Sequence, residues 1–424
     1  KRNRKNSAPG KCFRICLYSG DEANLPLYRS QTRGTGAKRK SSINEGKGYY
    51  KFDKMTIGIE SSKAFKKNKT GVENYAYSII KHLLKIDSKN QFVLYINPKE
   101  TNGDFKNSKF ISNNKNAIIK QLSWPFKFGW TQFRLGAELI ANPPDILFLP
   151  AHLLPMHHPA KTTAVIHDVA FRQFPEVYSS RELHLQKLGV QRILKRAWKI
   201  IVPSQFTKDE IKKYYPKADA KKIYVVPHGY DKTIYKTGHN APIKSKTPYL
   251  LYIGRLESKK NICRLIQVFD LVKKNANQSY LKLILIGQPA YGYQNIKKEI
   301  DKSKYKDDIK KTGWLASREI ADYLKNASAF VFPSLYEGFG LPLLEAMACG
   351  CPVVCSQLKV FNEVARDAPL YFDPFDNQDI AAKIEEVLIN NTLRDKMIET
   401  GLKIAENFSW EKSADLTLKL FKNN

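Results

Sequence analysis

The sequence predicts an α/β protein made of two doubly wound, Rossmann-like lobes with a cleft between them. The chain has 424 residues, of which 42% are hydrophobic, and a single hydrophobic core rarely organises so long a chain. From Met55 onward, short apolar runs alternate with amphipathic segments, which is the pattern of parallel strands joined by helices. The pattern stops over residues 231–247 and then starts again, so we expect a linker there.

Changes in composition set the expected boundaries. Residues 1–54 are rich in Lys, Arg, Ser and Gly without apolar periodicity, and we interpret them as a disordered basic extension, with Met55 as a candidate natural start. The first lobe is expected over 55–240 and the second over 241–407. Residues 408–424 are predicted to form a last helix that packs back on the first lobe.

Each lobe is predicted from its own series of apolar runs. In the first, TIGI follows Met55, and apolar side chains from Val72 to Leu84 recur at helical spacing, so a helix begins just after Gly71. Because open parallel sheets bind ligands at the carboxyl ends of their strands, we expect the active site in the cleft. The other predicted strands are 92–96, 146–149, 163–166, 200–202 and 223–226, and then 249–253, 281–286, 329–332 and 352–355.

The formal net charge of +31 indicates partners with negative charge: nucleic acid, an anionic membrane surface or phosphorylated substrates. The lysines are interspersed with acidic residues and form no array of stacked aromatic and basic residues, which argues against nucleic acid. No apolar stretch reaches the roughly 18 residues of a membrane span. We therefore expect a cytoplasmic protein that binds phosphate groups and is peripheral on the inner face of the membrane.

The six cysteines predict no disulfide framework. Cys349, Cys351 and Cys355 lie close together in the apolar run ACGCPVVC, where small buried thiols are common. This setting favours packing over a metal site.

Two cations follow the strand YLLYIG. Arg255 comes directly after Gly254, and Lys260 lies five residues further on, just before a predicted helix. A guanidinium and an ammonium held at a strand end suit a diphosphate, because the first can bind two oxygens and the second adds a point charge. The alternative is a solvated loop in a lysine-rich chain.

The stretch FVFPSLYEGFGLPLLEAMACGCPVV carries the second set of candidate residues. An apolar strand leads into a loop with Gly338 and Gly340, and then into a helix expected to begin at Pro342. The first amides of that helix favour an anionic phosphate. Glu337 and Glu345 bracket this turn, and carboxylates accept hydrogen bonds from sugar and ribose hydroxyls.

The order of these segments resembles glycosyltransferase family 4, a large family of retaining enzymes with the two-lobed GT-B fold. The resemblance covers essentially Met55 to the end of the chain. The family's E-x7-E motif corresponds to Glu337 and Glu345, and its R-x4-K pair to Arg255 and Lys260. Further similar segments are the glycine loop at Thr70 and Gly71, the run Ile166, His167 and Asp168, VPSQFTKDEI from Val202, and VVPHGYD from Val225.

The resemblance implies a role for each of these positions. Arg255 and Lys260 would neutralise the donor diphosphate and the leaving group, so neither a metal ion nor another cofactor is expected. Glu337 would bind the transferred sugar, Glu345 the ribose, and His167 the sugar near its anomeric centre. The remaining donor-binding positions would border the phosphates, the sugar and the nucleobase: Gly71, Gly254, Trp314, Leu315, Gly338, Phe339, Gly340 and Leu341.

The implied activity is transfer of a hexosyl group, with mannosyl as a candidate, from a GDP- or UDP-linked sugar to a glycan or lipid-linked acceptor. Retention would follow from front-face attack without an enzyme nucleophile. The alternatives are a nucleotide-sugar epimerase or a phosphorylase of the same architecture, and a basic nucleic-acid-binding protein. A nucleic-acid-binding function leaves Glu337 and Glu345 unexplained. The sequence does not determine the donor, the acceptor, the linkage or the oligomeric state.

The first lobe is expected to bind the acceptor. Its segment 97–130 carries Trp124, Phe126, Phe128 and Trp130. These side chains either pack beneath a loop or form a surface for the acceptor or for lipid.

Overall fold

The computed structural model describes residues 54–101, 105, 111, 113–126, 128–151, 154–238, 247–275 and 279–423. The predicted basic extension therefore lies outside the described residues, apart from Lys54. The described residues form two parallel sheets with helices on their faces. This confirms the predicted α/β class with two doubly wound lobes.

The first sheet is built from Thr56–Glu60 (β1), Gln91–Ile96 (β2), Ala117–Gln121 (β3), Ile146–Leu149 (β4), Thr162–Val165 (β5), Lys199–Val202 (β6) and Ile223–Val225 (β7). The strand order is β3-β2-β1-β4-β5-β6-β7, and all neighbours are parallel. The order reverses between β1 and β4. A crevice for ligands is expected beyond the carboxyl ends of these two strands.

The helices of this lobe are Gly71–Ile86 (α1), Pro98–Thr101 (α2), Gly136–Ala141 (α3), Ala170–Gln173 (α4), Ser180–Arg196 (α5) and Gln205–Tyr214 (α6). A capping box between Thr70 and Glu73 starts α1 at Gly71. The apolar stripe of α1, which includes Ile79, packs on one face of the sheet, and Ile193 of α5 packs on the other. The first lobe therefore has a core on each side of its sheet.

The second sheet contains Tyr249–Ile253 (β8), Lys282–Ile286 (β9), Ile309–Gly313 (β10), Ala329–Phe332 (β11), Val353–Ser356 (β12) and Leu370–Phe372 (β13). Its order is β10-β9-β8-β11-β12-β13, again with parallel neighbours. The reversal lies between β8 and β11, whose residues are buried throughout. The loops that follow these two strands are consequently brought side by side.

The helices of the second lobe are Ile262–Asn275 (α7), Tyr293–Lys302 (α8), Ser317–Asn326 (α9), Leu341–Ala348 (α10), Lys359–Ala365 (α11), Asn377–Ile389 (α12) and Asn391–Ala405 (α13). Their apolar faces and the sheet share one hydrophobic core. Most charged side chains of these helices lie toward solvent, as the amphipathic pattern predicts, although Lys273 of α7 is buried.

The last helix, Trp410–Lys422 (α14), lies against α1 of the first lobe. Its Trp410 and Phe421 belong to the first-lobe core, and the Ser413 hydroxyl donates a hydrogen bond to the carbonyl of Pro227. Lys199 Nζ donates to the carbonyl oxygens of Leu420, at 2.8 Å, and Asn423, which satisfies the open end of the helix. The chain thus returns to its first lobe after completing the second.

Candidate active site

The candidate residues of the second lobe meet where its strand order reverses. Gly254 and Arg255 follow β8, and the loop with Glu337 follows the neighbouring strand β11. Gly254 has a φ of 153°, a conformation that favours glycine. An added Cβ there would also lie 2.6 Å from the Tyr252 hydroxyl oxygen. Close packing therefore fixes the backbone from which Arg255 projects.

Arg255 keeps much of its side chain in solvent. The side chain is 52% exposed, and Nη2 lies 3.1 Å from Glu257 Oε2. A guanidinium has five N–H donors in a planar fork, so this single ion pair leaves donors for a further partner. An anionic group arriving in the cleft can therefore bind Arg255 without removing Glu257.

Lys260 and Glu337 form an ion pair across the reversal. Both side chains are largely shielded from solvent, at 12% and 15% exposed, and the Ser334 hydroxyl donates to the same Glu337 oxygen at 2.9 Å. The sequence predicts that both residues are in the site, and the structure brings them into contact. The two side chains therefore pair with each other at the place where a ligand is expected.

Lys259, which sequence reasoning did not single out, is the more deeply buried of the two lysines. Its Nζ lies 3.6 Å from Glu257 Oε1 and 3.5 Å from the Tyr178 hydroxyl of the first lobe. Burial opposes the charge, but the carboxylates of Asp168 and Glu257 outweigh it and raise the pKa of Lys259. A buried cation therefore joins the two lobes beside Arg255.

Gly338 forms a close contact between the lobes. A Cβ at this position would lie 2.1 Å from the carbonyl oxygen of His167, so a larger residue would push the lobes apart. Its own carbonyl accepts hydrogen bonds from the hydroxyls of Ser204, at 2.7 Å, and Thr207, at 3.1 Å. The glycine is required here by the approach of the first lobe.

His167 is buried at the end of the first-lobe sheet. Its Nε2 donates to the carbonyl of Pro150 at 2.9 Å, and the Tyr75 ring packs nearly perpendicular to it, with 4.7 Å between the ring centroids. Burial lowers the pKa of His167 to about 4. The imidazole is therefore neutral at neutral pH and acts through hydrogen bonds rather than charge.

His228 lies beside His167, with the two ring centroids 5.6 Å apart. Its ring also packs on Phe339 at 4.9 Å, and burial lowers its pKa well below the ordinary value. Within the described part of the chain, His228 Nδ1 has no hydrogen-bond partner. Sequence reasoning noted the segment VVPHGYD but assigned no role to this histidine.

Helix α10 begins at Leu341, one residue earlier than predicted, so Pro342 occupies the second helical position rather than the first. Gly340 precedes the helix with a φ of 94°, which a residue with a side chain rarely adopts. Phe339 is buried in the second-lobe core. Leu341 packs against the cores of both lobes, so the start of the helix lies at the junction between them.

Glu345, one turn further along α10, opens onto a cavity of about 310 Å³ between the lobes. Burial raises the pKa of Glu345 to about 8, although a hydrogen bond from Tyr235 opposes that rise. The carboxyl group is therefore mostly protonated at neutral pH without a ligand. The cavity is lined from both lobes, by Asn74, Tyr77, Tyr235, Trp314, Leu341 and Glu345 among others.

Trp314 spans the mouth of this cavity. It follows β10, is 38% exposed, and its indole Nε1 donates to the carbonyl of Lys69 in the first lobe at 3.3 Å. Leu315 instead packs against the second-lobe core. Gly71 lies at the first position of α1, and a Cβ added there would meet no atom within 4 Å. The fold itself does not require glycine at position 71.

Two stretches of the chain match known families. Residues 69–233 match the family described as Glycosyltransferase Family 4, and residues 237–404 match Glycosyl transferases group 1. O-antigen chain mannosyltransferase B of Escherichia coli is 31% identical over 280 residues, which cover 64% of this chain and 73% of that relative. The chain belongs to glycosyltransferase family 4.

Solved structures share the two-lobed fold of this chain. Sucrose-phosphate synthase from Thermosynechococcus elongatus superposes with a TM-score of 0.69 at 16% identity, covering 87% of this chain and 98% of that one. Anabaena HepE in complex with UDP-glucose superposes with a TM-score of 0.66 at 18% identity, covering 86% of this chain and 99% of that one. At such identities the likeness concerns the fold, which is GT-B. The family match and the mannosyltransferase relative show that the chain is a glycosyltransferase.

In this family 4 glycosyltransferase, the predicted site residues fall into two adjoining groups. Lys260 and Glu337 are in contact, with Arg255 on the neighbouring loop. Glu345 and Trp314 line the interlobe cavity, whose lining does not include Arg255, Lys260 or Glu337. The start of α10 and the loop before it connect the two groups. Their arrangement can receive an extended ligand with anionic and hydroxyl-bearing parts.

Cys349, Cys351 and Cys355 are buried free thiols in the second lobe of the enzyme. Among the residues that the structure describes, no group of three or more His, Cys, Asp and Glu side chains is arranged to hold a metal ion. Over the same described ranges, no helix combines the length and the apolar character that a membrane span requires.

Proposed function

We propose that this glycosyltransferase transfers a hexosyl group, mannosyl in the first instance, from a nucleoside diphosphate sugar to a glycan or lipid-linked acceptor with retention. The observation that carries the proposal is the Lys260–Glu337 pair at the sheet reversal, next to a half-exposed arginine. A diphosphate offers Lys260 a more highly charged partner than one carboxylate does. Glu337 would then be released toward the hydroxyls of the transferred sugar.

The cavity beyond α10 suits the nucleoside. Glu345 would accept hydrogen bonds from the ribose hydroxyls, with the indole of Trp314 beside the base. The first amides of α10, with the helix dipole behind them, would face a phosphate. Gly71 would allow the opposite lobe to approach the phosphates closely, since its missing side chain leaves open space. Gly254 would hold Arg255 in position.

Charge stabilisation of the leaving group would come from Arg255 and Lys260, which face the negative charge that develops as the sugar–phosphate bond breaks. His167 would hydrogen-bond the sugar near its anomeric carbon as a neutral imidazole. We assign no enzyme nucleophile. A departing phosphate oxygen would accept the proton of the acceptor hydroxyl on the same face, which accounts for retention without a metal ion.

The relatives support a choice of donor and acceptor to test. A mannosyltransferase of O-antigen chains is the 31% identical relative, which supports a mannosyl donor and a surface-polysaccharide acceptor. The HepE complex contains UDP-glucose, which supports a nucleoside diphosphate hexose in this fold. GDP-mannose and the UDP-hexoses are therefore the donors to test first.

The test is a transfer assay with GDP-mannose and UDP-hexoses, using free and lipid-linked oligosaccharides as acceptors. Mass spectrometry would detect the added hexose, and NMR of the product would give the anomeric configuration. We expect one donor to support transfer with retention, and Arg255→Ala to reduce kcat/KM by about a hundredfold. Lys298→Ala, on the exposed face of α8, is the matched control. An inverted product, or nucleotide release with an isomerised sugar and no acceptor, would contradict the proposal.

We also propose that the first lobe binds an anionic membrane surface, which would present a lipid-linked acceptor. Phe126 and Phe128 are 66% and 67% exposed, and the guanidinium of Arg181 on α5 lies over the Phe128 ring. Leu185 and Leu188 are exposed further along the same helix. Exposed aromatic and aliphatic side chains mixed with cations are typical of surfaces that lie in the headgroup region.

Co-sedimentation with phosphatidylglycerol vesicles tests this surface. We expect Phe126→Ser together with Phe128→Ser to reduce the bound fraction severalfold. Tyr280→Ser removes an aromatic side chain that is 78% exposed on the other lobe and should leave binding unchanged. Equal loss for both variants, or equal binding to neutral vesicles, would argue against an oriented, charge-dependent contact.

A further inference from the structure

The start of α6 in the first lobe is capped by a side chain of the second lobe. The backbone amides of Gln205 and Phe206 donate to Glu363 Oε1 at 2.7 Å and Oε2 at 2.9 Å. These are the first two amides of the helix, which have no partner within it. A carboxylate at that position also interacts favourably with the helix dipole. Glu363, on α11, therefore supplies a cap across the cleft.

The same end of α6 holds the loop of the candidate site. The hydroxyls of Ser204 and Thr207 donate to the carbonyl of Gly338, and the ring of Phe206 packs on Tyr336 with centroids 5.5 Å apart. Tyr336 and Gly338 flank Glu337. The start of α6 thus contacts both sequence neighbours of Glu337, the residue that pairs with Lys260.

These contacts exist only while the lobes are together. Gly338 lies directly against His167, so the cap, the loop and the histidine form one continuous contact from α11 to the first-lobe sheet. Opening the cleft at this side would separate Glu363 from both amides of α6. The hydrogen bonds of Glu363 to the first lobe therefore contribute to the free energy of closure.

We infer that Glu363 is a positioning residue for sugar transfer, which caps α6 of the opposite lobe and so holds the Tyr336–Glu337–Gly338 loop against His167. The inference rests on the proposed function for its kinetic consequence, whereas the closure itself can be measured without substrate. Glu363 is exposed, while Val360, Phe361 and Val364 anchor α11 in its own lobe. Its removal should consequently spare the folding of α11.

The first experiment measures the distance between the lobes in the ligand-free protein. Fluorophores would be attached to Lys89→Cys and Asn391→Cys, which are exposed positions in the first and second lobes, with Cys12, Cys16 and Cys263 changed to Ser. We expect Glu363→Ala to lower the ratio of closed to open molecules about tenfold, as the loss of two charge-assisted hydrogen bonds implies. For Glu363→Gln, which keeps one acceptor oxygen, the ratio should lie between the values of the wild type and of Glu363→Ala.

The matched control is Asp376→Ala. Asp376 Oδ1 also accepts from two backbone amides at the start of a helix, those of Gln378 at 2.8 Å and Asp379 at 3.2 Å, but both lie in its own lobe. This variant should lose thermal stability without changing the distance between the lobes. Steady-state kinetics should show kcat/KM for transfer about tenfold lower in Glu363→Ala and unchanged in Asp376→Ala.

The outcomes separate this inference from the proposed function. An unchanged interlobe distance in Glu363→Ala overturns the inference, whatever the activity. Equal losses of stability and activity in Glu363→Ala and Asp376→Ala, without opening, would reduce Glu363 to an ordinary structural cap and also overturn it. A wild-type protein that transfers no sugar but opens on Glu363→Ala supports the closure contact while the proposed donor chemistry fails.

Discussion

Replacing Glu345 by Gln should abolish a pH dependence of nucleotide binding that the wild-type protein shows. In the free protein, burial raises the pKa of Glu345 to about 8, so the group is mostly neutral at pH 7. The ribose hydroxyls are expected to donate to the ionised carboxylate. If only that form binds, linkage makes the affinity about 25-fold weaker at pH 6.5 than at pH 8.5.

Titration calorimetry with GDP and UDP at several pH values measures this effect directly. The wild-type protein should release a proton on binding below pH 8, and Glu345→Gln should bind more weakly at pH 8.5 with a flatter profile. Subtracting the profile of the variant removes the ionisation of the phosphate itself. Parallel profiles for the two proteins would refute the assignment of Glu345 to the ribose.

The stability of the unliganded protein provides a second readout of the same group. A carboxyl whose pKa rises on folding favours the protonated native state, so stability should fall as pH rises from about 4.5 to 8. Glu345→Gln does not lose stability in this way, because its amide does not ionise. At pH 8.5 the variant should therefore be more stable than the wild type by about 2 kcal/mol, a figure reduced to allow for solvent that reaches Glu345 through the cleft. Denaturant titrations at pH 5 and pH 8.5 would detect it.

Three further predictions follow from single residues. Gly71→Ala should leave the melting temperature unchanged or slightly higher, because the added methyl group has open space. The same variant should raise the KM for the donor about tenfold if a phosphate approaches the backbone there. An unchanged KM would show that Gly71 is not part of the site. Lowering the pH from 6.5 to 4 should reduce the free energy of unfolding of the wild type by up to about 3 kcal/mol, because the pKa of His167 is about 4 in the folded protein. Denaturant titrations of His167→Asn should show a shallower loss of stability with falling pH. An identical pH dependence in the two proteins would contradict the burial of His167 as a neutral group. Lys199→Met should lower the free energy of unfolding by about 1–2 kcal/mol, because it frees the carbonyls of Leu420 and Asn423 at the end of α14; chemical denaturation with no change would mean that the helix does not depend on this cap.

The central strands of both sheets could be predicted from the sequence, because burial on two faces leaves an uninterrupted apolar run. Strands β4, β8 and β11 have the predicted bounds, and all their residues are buried. The three strands that the sequence did not reveal, β3, β10 and β13, each lie at a sheet edge. Most of their residues are partly or fully exposed, and the apolar runs in β3 (AII) and β13 (LYF) are only three residues long, so the pattern of a buried strand is weak there.

The site could be predicted in part for a similar reason. Arg255 and Glu337 lie in the loops that directly follow apolar strands, so their place at the carboxyl edge is a local property of the sequence. Lys259 and Glu363 depend on partners in the other lobe, 81 residues away at Tyr178 and 158 residues away at Gln205. A single Lys or Glu in a highly charged chain carries no local signal of such a contact. The close contact between Gly338 and His167 likewise depends on how the two lobes pack, so the local sequence does not predict it.

A crystal structure of the protein with the nucleoside diphosphate that most raises its melting temperature would show whether the interlobe cleft binds the donor, since a ligand bound only by the native state stabilises it. The diphosphate is predicted to lie within hydrogen-bonding distance of Arg255 and Lys260, with the ribose hydroxyls on Glu345 and the Lys260–Glu337 pair separated. A nucleotide bound outside the interlobe cleft, with the Lys260–Glu337 ion pair intact and no ligand atom on Glu345, would rule out the proposed donor site.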